Sequence, residues 1–167
     1  MLRWFGLAAR LLVGGVWLYA GLLKLGDQAS SVTAVRAYQL LPIGMTEPVG
    51  NVLPILEVVL GACLLLGLLT RFSGGLSALL QLAFIIGIVS VWSRGIAINC
   101  GCFGDGGYDP DAFSKYPWEI ARDVGLMLLS LFLVWRPRTP LAVDNLLFPE
   151  LEPFPETEES TRVEAES

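Results

Sequence analysis

A run of 22 residues without a charged side chain, Phe72 to Ser93, limits most strongly what this chain can fold into. A helix of that length can cross the roughly 30 Å hydrocarbon core of a bilayer. Hydrophobic residues make up 54% of the 167 residues and charged residues only 16%, whereas an average soluble domain carries about 25% charge. We therefore expect an integral membrane protein and exclude secreted soluble and nucleic-acid-binding proteins.

Gaps between charged residues predict three more spans, which makes the fold an all-α, four-helix membrane bundle. The first span contains Arg10, whose long side chain can reach the nearer interface. No convincing small-residue cleavage site follows this first apolar block, so we expect it to be retained rather than removed as a signal peptide. The four predicted spans cover about residues 4–23, 52–69, 72–93 and 118–135.

Two segments outside the spans have their own patterns. From Ser31 to Leu41, just before Pro42, apolar residues recur at helical spacing, which predicts a short amphipathic helix in the first outer loop. Residues 139–167 are acidic and contain several prolines, so they cannot bury enough apolar surface to offset their ordering entropy. We therefore expect a membrane domain over residues 1–138, followed by a disordered acidic tail.

The distribution of Lys and Arg predicts the orientation. Basic residues near span ends on short connections favour the cytoplasmic side. Here they leave the two long loops, residues 24–51 and 94–117, on the outer side of a bacterial cytoplasmic membrane, with both termini in the cytoplasm. The basic residues on the short connections are Arg3, Arg10, Arg71, Arg136 and Arg138.

A cysteine pair in the second long loop is the strongest chemical motif. Cys100 and Cys102 flank Gly101, whose backbone freedom allows the bend that brings the two sulfurs together. A bridge across this three-residue ring would add only roughly 1.6 kcal/mol of stability in the chain-entropy model. Strained, exposed bridges are the labile ones. The spacing therefore favours a redox-active dithiol in an oxidising compartment over a structural disulfide.

Two other interpretations of the pair stay open. An inert pair of loop cysteines is one. Metal binding is the other, but the chain has no histidine, so zinc or an iron–sulfur cluster would need cysteines from two chains. We expect no metal site. The third cysteine, Cys63, falls within the second span and fits a small buried apolar residue.

Four charged residues lie at the outer ends of the spans, near the level of the cysteine pair. Charges inside membrane segments are expensive and therefore suggest function. Glu57 should need a cationic partner, either Lys24 or Arg122, and Asp123 lies beside Arg122. The cluster could hold helix ends together, and its positive charges could also lower the pKa of a nearby thiol.

These residues resemble the MauE/DoxX group of bacterial four-helix membrane proteins, and are more similar to the methylamine-utilisation MauE branch than to DoxX. The resemblance extends over about residues 5–135 and leaves out the tail. CGCFG followed by WEIARD is its most specific part. The five similar stretches are AGLLKL (Ala20 to Leu25), AYQLLP (Ala37 to Pro42), LPILEVVLGACLLLG (Leu53 to Gly67), CGCFG (Cys100 to Gly104) and WEIARD (Trp118 to Asp123).

The resemblance implies a redox role outside the cytoplasmic membrane, in disulfide formation or transfer beside thioredoxin-fold partners. DoxX-like proteins imply membership of quinone-linked membrane complexes, so a quinone is an open alternative, although we predict no resident cofactor. Self-sufficient membrane disulfide generators use two cysteine pairs, whereas this chain has one pair plus Cys63. The positions that match the family motifs are Lys24, Glu57, Cys100, Cys102, Arg122 and Asp123.

We therefore expect a membrane thiol–disulfide exchange component that acts on an extracytoplasmic thiol or disulfide protein. Cys100 and Cys102 would exchange the disulfide, and Lys24, Glu57, Arg122 and Asp123 would form the supporting charge cluster. The alternative is a non-catalytic anchor or assembly subunit of a larger, quinone-linked redox complex. A small-solute carrier is a weaker alternative that depends on Glu57 alone.

Overall fold

The computed structural model describes residues 2–102 and 106–135, with side chains from Trp4 onward. Those residues form mainly helix, joined by one short antiparallel hairpin in which Cys100 pairs with Gly106. In chain order the elements are α1 (Leu2–Gly26), α2 (Gln28–Ala37), α3 (Ile43–Leu66), α4 (Thr70–Ser93), β1 (Ile98–Cys100), β2 (Gly106–Tyr108) and α5 (Ala112–Trp135).

Three of the described helices are long and apolar enough to cross a membrane: α1 from Trp4, α3 and α4. The fourth predicted span, 118–135, lies within α5, whose first half carries charged side chains. In the described part of the chain, α5 does not reach the apolarity of the other three helices. The four-span count and the division of the chain at residue 138 therefore stay predictions.

Helix α3 differs most from its predicted span. It begins at Ile43, nine residues before residue 52, and continues through Pro48 and Pro54. The absence of charge indicates which part of a helix fits the hydrocarbon core, but not where the helix itself begins. Pro42 precedes the helix in an extended conformation, with φ −56° and ψ 144°. Residues 43–51 were instead predicted to belong to the first long loop.

Helix α2 also begins and ends earlier than the predicted segment Ser31 to Leu41. The Asp27 carboxylate accepts a hydrogen bond from the backbone N–H of Ser30 at 3.0 Å, and this cap starts the helix at Gln28. The helix ends at Ala37 because Gln39, two residues later, has a left-handed backbone with φ 51°.

The four long helices pack as two close pairs, α1 with α3 and α4 with α5. Glycines permit the first contact. A Cβ atom on Gly61 would lie 2.6 Å from the backbone nitrogen of Leu18, and one on Gly21 would lie 2.8 Å from that of Val58. Such close backbone approach between small residues is a common way for membrane helices to associate.

The hairpin and α2 form an outer layer over the bundle end. The backbone N–H of Gly106 donates to Ser30 Oγ at 3.3 Å, and a Cβ on Gly106 would lie 2.7 Å from Ala34. Beneath the hairpin, the buried Tyr116 hydroxyl accepts from the backbone N–H of Ile98 at 3.0 Å. These contacts fix the strand that carries Cys100. The predicted disordered tail, 139–167, lies outside the described residues.

The glycine contact between α1 and α3 gives a direct test of the packing. We expect Gly61→Ala to destabilise the protein by about 1–3 kcal/mol, because the new methyl group must push two backbones apart. The measurement is thermal unfolding of the detergent-purified protein. Gly15→Ala, on a face of α1 with no atom within 4 Å of the new Cβ, is the matched control. Equal unfolding temperatures for the two variants would contradict this packing.

Candidate redox site

The cysteine pair lies at the end of β1 and in the turn that follows. Gly101 between them has a left-handed backbone, with φ 67°, as the predicted bend requires. All three cysteines are free thiols, and the backbone N–H of Cys102 donates to Cys100 Sγ at 3.4 Å. The two thiols are therefore close neighbours in one tight turn.

The expectation of an exposed pair is wrong. Cys100 is only 6% exposed and Cys102 only 8% exposed. Part of the reason is Tyr38, just after α2, whose hydroxyl donates to the Cys100 carbonyl at 2.7 Å. The Tyr38 ring lies against α4, where a Cβ on Gly87 would be 3.0 Å from it. Tyr38 therefore covers the Cys100 side of the pair.

The two thiols differ in acidity. Hydrogen bonding between them raises the pKa of Cys100 and lowers the pKa of Cys102, and burial raises the pKa of Cys100 further. The positive charges of Arg122 and Lys24 also lower the pKa of Cys102, although burial and Asp123 oppose them. Cys102 is therefore the thiol that ionises first.

A buried ion pair lies beside the cysteines. Lys24 Nζ donates to Glu57 Oε1 at 2.6 Å, with side-chain exposures of 5% and 0%. The sequence left either Lys24 or Arg122 open as the partner of Glu57, and the structure identifies Lys24. The ammonium also lies 5.4 Å from the centre of the Phe84 ring, a cation–π distance. The pair joins α1 to α3 at the end of the bundle that carries the hairpin.

A second ion pair comes from consecutive residues of α5. Arg122 donates from Nε at 3.0 Å and from Nη2 at 2.8 Å to the same oxygen, Asp123 Oδ1. Asp123 is almost fully buried, whereas Arg122 is partly exposed. With one cation for each carboxylate, these two ion pairs together carry no net charge.

Five of the six predicted site residues line one small cavity, with room for about one or two water molecules, which we call the interior cavity. Cys100 is the exception. It lines a second cavity of similar small size beneath α2, which we call the outer cavity. The interior cavity is lined by Val16, Trp17, Ala20, Lys24, Glu57, Gln81, Phe84, Cys102, Arg122, Asp123 and Leu126.

Three residues near the pair were not singled out from the sequence as site residues. Tyr38 appeared only as an apolar position of the amphipathic helix. Gln81 is a buried amide within the uncharged run of α4, and its polarity there was an available signal. Glu119 lies one turn before Asp123 and its negative charge helps to raise the pKa of Cys100.

Other candidate chemistry is distant or lacks the necessary groups. Cys63 lies six residues after Glu57, about 9 Å along α3, and lines neither cavity. Among residues 2–102 and 106–135, no three His, Cys, Asp or Glu side chains form a group that could hold a metal ion. The described chemistry is therefore that of a dithiol beside two ion pairs.

The ion pair between α1 and α3 can be tested by charge removal. We expect Lys24→Met to reduce the yield of folded protein strongly, because losing one partner of a buried pair costs about 3–5 kcal/mol. Adding Glu57→Gln should restore part of the yield, measured as monodisperse protein in detergent. Combining Glu57→Gln with Arg122→Gln should bring no such recovery. Restoration by the Arg122 combination alone would contradict the assignment.

Comparison with known proteins places this geometry in a family. The model of the family described as "Methylamine utilisation protein MauE" matches residues 2–136, most of the chain. No curated protein and no solved structure matches the chain. The family match confirms the resemblance seen in the sequence, and together with the three apolar helices it indicates a protein of the lipid bilayer. The chain belongs to the MauE family of membrane proteins.

Proposed function

We propose that this protein is a membrane thiol–disulfide exchange component whose working group is Cys100 with Cys102. The observation that carries the proposal is the pair itself: two adjacent free thiols of opposite pKa shift, on a hairpin fixed by Tyr38 and Tyr116. A low thiol pKa favours both the reactive thiolate and a good leaving group.

The exchange follows from the chemistry of thiolates and disulfides. A partner thiolate attacks one sulfur of the Cys100–Cys102 disulfide, the bridge breaks, and a mixed disulfide forms. The second thiol of the partner then attacks the mixed disulfide and releases the pair as a dithiol. Two electrons and two protons thereby pass from the partner to the pair, and the partner gains a disulfide.

The location of the partner follows from the predicted orientation. Both termini lie in the cytoplasm, and the hairpin lies on the outer side of the cytoplasmic membrane, where disulfides persist. The partner is an extracytoplasmic thiol or disulfide protein, and a thioredoxin fold is the partner class that the family suggests. A quinone is the electron acceptor that the resemblance suggests for reoxidation of the pair.

One observation favours the alternative, a non-catalytic membrane anchor or assembly subunit of a redox complex. Both cysteines are nearly completely buried, as inert cysteines often are. In that case the pair would contribute to packing beneath α2 and would never meet a partner. The two functions therefore differ in whether a partner becomes covalently attached.

Covalent trapping tests this difference. In a Cys63→Ser background, removing one cysteine of the pair should leave a mixed disulfide with an extracytoplasmic protein, because the second thiol can no longer release it. The measurement is a reductant-sensitive mass shift after acid quenching, followed by identification of the attached protein. Cys63→Ser alone should show no adduct. If neither Cys100→Ser nor Cys102→Ser gives one, the protein is an anchor.

The predicted orientation needs engineered cysteines, because the native pair is buried. In a cysteine-free variant we expect Tyr108→Cys, at a site that is 81% exposed beside the hairpin, to react with a membrane-impermeant maleimide in intact cells. Leu69→Cys, at a site that is 56% exposed between α3 and α4, should react only after the cytoplasmic side is opened. The reverse pattern would place the cysteine pair in the cytoplasm.

A further inference from the structure

Three residues that line the interior cavity each carry a buried oxygen without a hydrogen-bond donor. Glu57 Oε2, Gln81 Oε1 and Asp123 Oδ2 have no hydrogen-bond partner within the described part of the chain. Their residues are 0%, 3% and 4% exposed. A buried acceptor that lacks a donor is costly and uncommon. Three of them around one cavity point to a molecule that supplies O–H or N–H groups.

The size and charge of the cavity decide which molecule this is. The cavity has room for about one or two water molecules, which is too little for an organic ligand. A cation would be repelled, because Lys24 and Arg122 line the cavity and the two ion pairs leave no net negative charge. Water carries two O–H donors and bridges buried polar groups that otherwise lack partners. Water therefore fits both the size of the cavity and its acceptors.

Cys102 borders the same space. It lines the interior cavity, whereas Cys100 lines the outer cavity. The Cys102 Sγ lies 4.0 Å from the Cys100 carbonyl oxygen, which is a long contact for a weak donor such as a thiol. A water molecule in the interior cavity can accept from this thiol and donate to a carboxylate at the same time. Such a molecule connects the thiol to a proton acceptor.

Of the two carboxylates in the cavity, Asp123 is the better acceptor. The hydrogen bond with Cys100 lowers the pKa of Cys102, and Asp123 is the carboxylate whose charge opposes this shift most. Both hydrogen bonds from Arg122 go to Oδ1, which leaves Oδ2 available for a proton. Arg122 is also partly exposed, whereas Lys24 and Glu57 are almost fully buried. A proton on Asp123 is therefore closer to solvent than a proton on Glu57.

We propose that one or two water molecules in the interior cavity connect the Cys102 thiol to Asp123, and that Asp123 accepts and returns the Cys102 proton during disulfide exchange. This inference rests on the proposed function and deepens it, because it names the group that handles the proton of one thiol.

The step moves one proton and no electrons. The Cys102 S–H bond breaks, the water takes this proton and gives one of its own to Asp123 Oδ2, and a carboxylic O–H bond forms. A thiolate and a carboxylic acid thereby replace a thiol and a carboxylate. The net charge around the cavity does not change, which matters because an added charge is costly in a buried site. When Cys102 leaves a disulfide as a thiolate, the reverse step returns the proton.

The pH dependence of this step involves every element around the pair. Helix α4 contributes the uncharged Gln81 to the lining of the interior cavity. The charged and titratable groups on the other elements are Lys24 from α1, Tyr38 after α2, Glu57 from α3, Cys100 at the end of β1, and Tyr116, Glu119, Arg122 and Asp123 from α5.

The proposal is tested by oxidising the reduced pair with hydroxyethyl disulfide, a small uncharged probe. Cys102 must lose its proton before the bridge closes, whichever thiol attacks the probe first. In a Cys63→Ser background in detergent, we expect Asp123→Asn to slow the loss of free thiols at least about tenfold, because general acid–base transfer contributes about 10²–10⁴-fold. Asp111→Asn, which removes an exposed carboxylate just before α5 and outside both cavities, should react at the rate of the background protein.

The sign of the change separates proton transfer from the effect of charge alone. If Asp123 acted only through its charge, its removal would favour the Cys102 thiolate and oxidation would be as fast or faster. A proton acceptor predicts slower oxidation although the thiol ionises at lower pH. Ionisation is measured separately, from the ultraviolet absorption of the thiolate as the pH of the reduced protein is raised.

A second variant tests the water. Gln81→Leu removes one unpartnered acceptor but keeps both ion pairs and both carboxylates. The water then loses a partner, so we expect several-fold slower oxidation with an unfolding temperature no lower than that of the background protein. Oxidation at or above the background rate in either folded variant overturns the proposal. If Asp123→Asn does not fold, the result with Gln81→Leu decides alone.

The probe reaction needs no protein partner, so its result is independent of covalent trapping. A trapped adduct together with variants that are not slowed overturns this inference and leaves the proposed function intact. Slowed variants without any trapped adduct instead overturn the proposed function.

Discussion

The ion pair between Lys24 and Glu57 is the interaction on which the outer half of the molecule depends. It joins α1 to α3 at 2.6 Å with almost no exposure to solvent. Neither charge could remain there alone, since an unpaired charge in such a place is strongly destabilising. The close α1–α3 contact through Gly14, Gly21 and Gly61 holds the two helices near enough for the pair to form. The small residues thus allow the ion pair to form, and the ion pair fixes the register of α1 against α3.

The dithiol hairpin is built onto this framework. Lys24 lines both cavities beside the cysteines, so the same ammonium that neutralises Glu57 also lowers the pKa of Cys102. On the other side of the hairpin, the Tyr38 hydroxyl donates to the Cys100 carbonyl. Arg94 in turn donates to the backbone carbonyl of Tyr38. A chain of contacts therefore runs from the membrane helices through Lys24 to the pair, and from α4 through Tyr38 to its outer face.

Features that depend on residues close together in the sequence could be predicted, whereas features that depend on contacts between distant residues could not. The uncharged run 72–93 lies within α4, whose actual bounds differ by two residues at one end. The charged residues 24, 57, 122 and 123 and the cysteines were recognisable because charge and thiols are rare in such a chain. By contrast, the early start of α3, the hairpin pairing and the burial of both cysteines depend on contacts between residues far apart in sequence. Ser30 and Gly106, 76 positions apart, are one such contact.

The two cysteines of the pair are both buried, but they lie against different parts of the structure. In the described part of the chain, Tyr38 covers the Cys100 side of the pair through the Cys100 carbonyl, and both cysteines are nearly completely buried. Self-sufficient membrane disulfide generators use one cysteine pair for each direction of transfer. Here Cys102 borders the interior cavity and Cys100 borders the outer cavity, and Lys24 and Phe84 line both. The two cysteines therefore have different surroundings although a single residue separates them.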